Sequence, residues 1–443
     1  MSEWDLYKQL FEKSSLEDIY SNHIVFSSAT GIDKVSHDAF MKTYGKQLEV
    51  VSRKALVGKY KYTKYRLKLV SKGRGKIPRE ISIPTIRDRV ALKALCGFLN
   101  QTFVGDVGFD LPQNVVRGVK SALDSGKYSA FIKLDVEQFY PSIDHDVLMQ
   151  RLKSKISTQE ILDQIALAYS TPTVEKPSEG GKNEKGVPQG LSVSNILAAV
   201  YLSDVDKKFG ARDFAYFRYV DDVLILCRRE EAKKIADEVI EEFGRIRLSI
   251  HKPDGMSEKS KIGELGTGAF GYLGYRFEDG RTTVRQESVE RLRESLTAIF
   301  TAYRYSKRKD QEFLKWRLDL RIGGCIFENK RKGWLFFFSE IDDLNLLHGL
   351  DHFVRQLCKR FGVAITPKSF VRSYYQIKHR IHETRYIPNF DAYSVAQMKE
   401  VLEEVFDYKD LDKKTDRQIE FFFKKKLSKQ VRDLEEDLQD FGY

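Results

Sequence analysis

The spacing of apolar positions changes along this chain, and each change marks an element. Residues 1–50 read as short helices around the turn "SSATGIDKVS". From Tyr60 the Tyr/Leu/Val alternation of "YKYTKYRLKLVSKGRGKIPR" predicts two strands joined by the loop "SKGRGK". Helical spacing follows from Arg89 to Leu99, with Val90, Ala94, Leu95 and Phe98 near one face. "YSAFIKLDVEQFY" is apolar and aromatic as far as Asp135 and reads as a buried strand that ends at a site. "SIDHDVLMQRLKSKI" then starts a helix with Asp144 or Ser142 as its cap. The Gly-rich "GGKNEKGVPQG" is a loop before the long apolar helix of "LSVSNILAAVYLSDVDKKF". "FAYFRYV" and "VLILCRR" flank Asp221 and Asp222 as two strands of a hairpin. An amphipathic helix comes next, with Ala232, Ile235, Ala236, Val239, Ile240 and Phe243 on one stripe. "FGYLGYRF" reads as one further strand. Near 288 the composition shifts to helix-rich, Lys/Arg/aromatic sequence. Ser288 is the expected N-cap there, and Val289, Leu292, Leu296 and Ile299 keep helical spacing, so a domain boundary is expected at about 285–290.

At 443 residues the chain is long enough for two or three domains with sizeable cores. A net charge of +11 favours polyanionic partners, nucleic acid first among them. The four cysteines, Cys96, Cys227, Cys325 and Cys358, form no CxxC pair, which argues against a zinc site or a disulfide framework and for a reducing compartment. The first residues lack the apolar core of a signal peptide, and no apolar run approaches the ~20 residues that span a bilayer. The expectation is a cytoplasmic protein with no membrane partner. Beyond 290, Arg317, Arg321, Lys330, Arg331 and Lys332 surround glycines and aromatics, a pattern suited to an RNA surface. Trp334 and Phe336–Phe338 themselves read as core, and "KKKLSK" (424–429) as a solvated helical face.

Two adjacent aspartates inside a β-branched apolar run need an explanation. A buried carboxylate is costly to desolvate, and two together are worse unless a cation relieves them. Two strands of one sheet could set Asp135 beside Asp221, and hard oxygen ligands of this kind suit Mg²⁺. Two such ions ~4 Å apart activate a 3′-hydroxyl and stabilise a leaving pyrophosphate.

These stretches resemble the reverse transcriptases over roughly residues 30–280. "KLDVEQFYPSIDH", "GVPQGLSVSNILA" and "YVDD" look like the palm motifs in their usual order. "GIDKVS", "GKIPREISIPTIRDRV", "EKSKI" and "FGYLGYRF" resemble the N-terminal, fingers, lysine-bearing and primer-grip motifs of bacterial members. The resemblance implies an α/β right-hand polymerase: an N-terminal and fingers region (1–130), a palm with an antiparallel sheet (131–287), and a helical thumb with an α-rich C-terminal extension (288–443). It implies RNA-directed DNA synthesis with two Mg²⁺ ions, Mn²⁺ being able to substitute. Asp135, Asp221 and Asp222 would be metal ligands and catalytic groups, with the backbone carbonyl of Val136 adding an oxygen. Tyr140 matches the ring that excludes a ribose 2′-OH, where viral RNA-copying polymerases usually place a carboxylate. Gln189 and Gly190 would approach the template base and the incoming nucleotide. Arg79 would clamp the triphosphate with Lys76 or Lys72, and Lys259 would protonate the leaving pyrophosphate. Asp144 and His145 read as capping and structural residues.

No HNH-like or zinc-bearing tail follows the polymerase, and the retron signatures "NAxxH" and "VTG" are absent. The common bacterial loop continues as "SPLLAN", whereas this chain has Asn195 in place of the proline. With the region 324–354, that variant looks more like the defence-associated and abortive-infection reverse transcriptases. For this group the resemblance implies action against phage, often with a non-coding RNA. Expected partners are RNA as template or scaffold, deoxynucleotides and the DNA product, with homo- or hetero-oligomerisation left open. Two alternatives stand beside this reading: template-independent or protein-primed synthesis by the same palm, and an RNA-binding module whose palm is vestigial.

Overall fold

The computed structural model describes residues 2–27, 29–71, 77–178, 180–253, 259–278, 280–307 and 309–435. The chain divides into two compact units, Met1–Asp110 with Tyr128–Gly263, and Leu111–Lys127 with Glu264–Tyr443.

The first unit is built around a four-stranded sheet. Every residue of β3 (Ala130–Asp135) except Asp135 is buried, the burial expected of a central strand with both faces covered. Strand order is β5-β6-β3-β7, with β5 at Ala215–Tyr219, β6 at Asp222–Cys227 and β7 at Lys261–Glu264. The β3–β6 pair is antiparallel, in a register that sets Leu134 opposite Val223 and Asp135 opposite Asp222. The helix Ser194–Gly210 contacts β5, and the helix Ala232–Arg245 contacts β3; of its expected stripe Ala232, Ile235, Ala236, Val239 and Phe243 are buried and Ile240 half-buried. One continuous apolar core joins these elements to the N-terminal helices Glu3–Phe11 and Tyr44–Ala55 and to the helix Ile86–Thr102. A second sheet in this unit runs β2-β1-β4, where β1 (Tyr65–Val70) pairs antiparallel with β2 (Arg79–Ile83) and parallel with β4 (Thr173–Val174). The "SKGRGK" connection between β1 and β2 lies largely outside the described residues.

In the second unit, "FGYLGYRF" is a hairpin rather than a single strand. β8 (Phe270–Tyr272) and β9 (Tyr275–Glu278) are joined by Leu273 and Gly274, both at positive φ, as a two-residue primed turn requires. β10 (Arg281–Val284) completes this sheet. The compositional shift near 288 coincides with the helix Gln286–Tyr305, but Arg285 occupies the N-cap position. Ser288 falls inside the first turn, where it is buried. Trp334–Phe337 is a short buried helix, in line with a core role for its aromatics. The helix Pro112–Asp124 is tied to this unit by Arg117–Glu340 at 2.6 Å and Lys120–Asp342 at 2.7 Å. Among the described residues no helix is long and apolar enough to cross a membrane.

The basic cluster expected to face RNA is largely engaged within the protein. Arg321 is only 2% exposed and donates to the Asp433 carbonyl at 3.1 Å. Arg317 lies 3.8 Å from the Asp433 carboxylate, and Lys332 pairs with Glu435 at 2.6 Å.

Candidate active site

The β5–β6 hairpin carries the aspartates because its turn is only two residues long. Tyr219 pairs with Asp222, leaving Val220 and Asp221 to reverse the chain. Val220 sits at φ 54°, a left-handed conformation that β-branched residues rarely adopt. Its carbonyl accepts from Arg218 Nη1 at 2.8 Å, and Arg218 is itself forked onto Asp206, which fixes the strained turn. Asp221 is thereby held at the tip, next to Asp222 and the Asp135 that faces Asp222 from the neighbouring β3. Val136 follows Asp135 and is buried, with its N–H 3.4 Å from the Asp221 carbonyl.

Burial, then the charges of Asp222 and Asp135, push the Asp221 carboxyl up to about 7, while Arg79 acts in the opposite direction. The cluster is therefore short of positive charge. Its hard oxygen donors fit a divalent ion in charge and in kind. Among the described residues, however, no three His, Cys, Asp or Glu side chains converge into a ready cage.

Two basic side chains already face Asp135. Lys259 Nζ lies 3.4 Å from its Oδ2, and His251 Nε2 lies 3.5 Å from the same oxygen. Lys259 is also 3.1 Å from His251 Nε2, and His251 Nδ1 is 3.4 Å from Glu137. His251 and Glu137 escaped the sequence reading. They arrive because residues 249–251 run antiparallel beside 135–137, with Glu137 N–H donating to the Ser249 carbonyl at 2.8 Å and His251 N–H to that of Asp135 at 3.0 Å. No local pattern signals that pairing.

Tyr140 follows the β3 strand in the short helix Phe139–Ser142, and its hydroxyl donates to Asn195 Oδ1 at 2.7 Å. Burial raises the pKa of this hydroxyl, and the nearby Asp221 charge adds to the effect. The loop 186–190 links Tyr140 to the β1–β2 sheet. Val187 N–H donates to the Tyr140 carbonyl at 2.9 Å, and the Gln189 carbonyl accepts from Ser82 N–H at 2.7 Å. Gly186, at φ 84°, would place a Cβ 2.9 Å from the Pro141 carbonyl oxygen. Gly190, at φ 97°, would place one 2.8 Å from Ile81 and 3.2 Å from the Ser82 carbonyl oxygen. Only glycine lets this loop lie against both neighbours. Arg79 begins β2, three residues before Ser82, and its charge reaches both Tyr140 and Asp221. Lys72 and Lys76 lie outside the described residues. Asp144 caps the helix His145–Lys153 by accepting from Asp146 and Val147 N–H and pairs with Arg247 at 2.7 Å; His145 Nε2 lies 2.7 Å from the Gly186 carbonyl oxygen.

An antiparallel sheet that presents acidic residues at a hairpin tip, with a glycine loop and the β1–β2 sheet beside it, is the arrangement of an α/β polymerase fold. Residues 70–277 match the family described as "Reverse transcriptase (RNA-dependent DNA polymerase)". Among curated proteins, the group II intron-encoded protein LtrA of Lactococcus lactis subsp. cremoris is 23% identical over 257 residues, 56% of this chain and 40% of that protein. The putative COX1/OXI3 intron 1 protein of Saccharomyces cerevisiae is 23% identical over 195 residues, 42% of this chain and 22% of that protein. The chain thus spans well under half the length of these relatives. Among solved structures, telomerase from Candida albicans in complex with a TWJ fragment of telomeric RNA aligns over 92% of this chain and 68% of its own, at 13% identity and a TM-score of 0.43. Apo telomerase from Candida tropicalis aligns over 78% and 61%, at 13% identity and a TM-score of 0.40.

Proposed function

We propose that this chain is an RNA-directed DNA polymerase that adds deoxynucleotides to a 3′-hydroxyl. The observation that carries the reading is the register of β3 against β6, which puts Asp135 opposite Asp222 with Asp221 in the adjoining turn. Asp135, Asp221, Asp222 and the Val136 carbonyl would hold two Mg²⁺ ions, and such ions lower the pKa of the attacking hydroxyl and neutralise charge on the phosphates. The 3′-oxygen forms a bond to the α-phosphorus as the bond to pyrophosphate breaks. Arg79, with Lys72 or Lys76, grips the triphosphate, and Lys259 donates a proton to the departing pyrophosphate. Tyr140 closes the space a ribose 2′-hydroxyl would need, and the Gln189–Gly190 backbone lies against the nascent base pair. On this reading residues 1–130 supply the fingers, 131–287 the palm, and 288–443 the thumb and extension.

The biological setting that fits the Asn195 loop and the 324–354 region is cytoplasmic anti-phage defence with a non-coding RNA as template or scaffold. The direct test supplies Mg²⁺ and labelled deoxynucleotides to the purified protein with its co-purifying RNA and sequences the product. Asp221→Asn with Asp222→Asn is expected to abolish synthesis while preserving the fold; undiminished synthesis by that variant overturns the assignment. A product complementary to the RNA establishes templating, whereas one without an RNA counterpart favours template-independent or protein-primed synthesis. Failure of wild-type protein to bind deoxynucleotides with Mg²⁺ favours an RNA-holding module.

A further inference from the structure

The helix Phe370–His379 presents Arg372 and Gln376 one turn apart, and Arg380 follows at its C-cap. The chain then turns back, with Glu383 and Thr384 N–H both donating to the Arg380 carbonyl, and brings Arg385 and Tyr386 against the same face. Together they line a pocket of about 520 Å³, contained entirely within the second unit. That volume is within the usual range for small-ligand sites and has room for a nucleotide unit.

The pocket is pre-ordered. The Arg372 guanidinium lies 4.5 Å from the centre of the Tyr386 ring, and Lys368 lies 5.1 Å from the same ring. The Tyr386 hydroxyl accepts from Ser369 N–H at 3.1 Å. Asp351 in turn accepts from Ser369 Oγ and from Phe370 N–H, both at 2.6 Å, which anchors the start of the helix.

Its charge is unbalanced. Elsewhere in this unit Arg117, Lys120, Arg317 and Lys332 are paired with carboxylates. Among the described residues no carboxylate pairs with Arg372, Arg380 or Arg385, and Glu383 is the one acidic side chain in the lining. Three forked, weakly hydrated cations around one concavity match the bidentate geometry of phosphate. Beside them Tyr375 is 48% exposed, with its ring 5.0 Å from that of His379 and 5.9 Å from the Arg380 guanidinium. An exposed ring next to a cation is a platform for an unpaired base.

We propose that this pocket binds the phosphodiester backbone of single-stranded nucleic acid, with phosphates against Arg372, Arg380 and Arg385 and a base stacked on Tyr375. The proposal does not depend on the polymerase reading, because binding is measured without synthesis.

The experiment titrates the full chain, without divalent metal, against a labelled single-stranded RNA and the same sequence as DNA, over a range of salt. Arg380→Ala with Arg385→Ala is expected to lower the log–log salt slope by roughly 1.4, two phosphates at about 0.7 each. Tyr375→Ala is expected to weaken binding about 5- to 100-fold while leaving the slope in place. Arg380→Lys with Arg385→Lys keeps the charge and should keep most of the slope, which separates loss of the site from loss of fold. Lys424→Ala with Lys425→Ala makes the same charge change on an exposed face of the last helix and should have little effect. Parallel loss on RNA and DNA assigns the backbone alone, and loss on RNA only assigns RNA. Unchanged binding by the Arg380/Arg385 alanine variant, or an equal loss from the Lys424/Lys425 control, overturns the proposal.

Discussion

The Tyr140 hydroxyl donates to Asn195 Oδ1 at 2.7 Å, so the ring proposed to exclude a ribose 2′-hydroxyl is held by the residue that stands where the common bacterial loop has proline. Tyr140 lies in the short helix Phe139–Ser142 and Asn195 in the first turn of the helix Ser194–Gly210, so the bond ties the ring to a second element rather than to its own. A neutral hydrogen bond of this kind contributes about 1 kcal/mol, roughly a fivefold effect. Asn195→Ala and Tyr140→Phe should therefore each raise ribonucleotide incorporation by a similar factor of about five, well short of the effect of Tyr140→Ala. Competition between a ribonucleotide and its deoxynucleotide in single-addition assays measures this. If Tyr140→Phe relaxes selectivity and Asn195→Ala does not, Asn195 is not what positions the ring.

Asp221 gives a metal test that does not rely on activity. Its carboxyl stands at about 7, above its ordinary value of 3.8, because it is buried among Asp222 and Asp135. A raised acid pKa means the folded state favours the proton. The contribution to stability is whole below the unfolded value and is lost as pH rises through about 7. Asp221→Asn removes that loss. In metal-free buffer near pH 8 the variant should be more stable than wild type by about 1–2 kcal/mol, after discounting for screening. The two should converge only below the unfolded value of 3.8. Added Mg²⁺ should raise the wild-type melting temperature and leave the variant nearly unmoved. A variant that melts lower than wild type at pH 8 without metal would show that the cluster is not under repulsion.

Much of this site is legible in the sequence because its elements are dictated locally. The "AFIKLD" and "VLILC" runs can bury both faces only as inner strands, and the polar pair between apolar strands falls at the turn. Asp144 caps its helix as its place before "HDVLMQ" indicates. What the sequence hides depends on pairings between distant segments. His251 meets both Asp135 and Glu137 through a backbone alignment of residues more than a hundred apart. Asn195 is visible as a departure, but its partner is not. The cations of 317–332 look like a surface in sequence, yet most of them face carboxylates or a carbonyl in the fold. The arginine pocket, by contrast, needs the return of residues 380–386 onto the preceding helix.

Lys259 has two readings that one substitution separates. It lies 3.4 Å from Asp135 and 3.1 Å from His251, so it can neutralise the carboxylate or, with nucleotide bound, protonate pyrophosphate. Lys259→Ala should slow single-nucleotide addition about 10²- to 10⁴-fold if the lysine is a general acid. Lys259→Arg restores charge beside Asp135 but holds its proton too tightly to give it up. Rescue by arginine assigns a neutralising role; failure of arginine to rescue, with nucleotide affinity retained, assigns proton transfer.

Asp88 tests the framework beneath the fingers strands. Its carboxylate is fully buried and accepts from the Tyr60 hydroxyl, from Thr63 N–H at 3.0 Å and from Thr85 Oγ1 at 2.8 Å. Burial raises its pKa even though these donors oppose the shift. Asn in its place keeps one oxygen for Thr63 N–H but turns an N–H₂ towards the Tyr60 or Thr85 hydroxyl, which must then accept instead of donate, a rearrangement that should cost about 1–3 kcal/mol. The pH dependence distinguishes this from a loss of packing. Because the folded-state pKa is raised, the wild-type contribution is complete below the unfolded value and declines as pH rises through the folded one, while Asn does not titrate. Denaturant unfolding of both proteins between pH 4 and 8 should therefore show wild type ahead throughout, with its lead narrowing as pH rises. A lead that widens towards pH 8 would mean that the Tyr60, Thr63 and Thr85 donors outweigh the desolvation of the carboxylate, and that the buried group stabilises the ionised form.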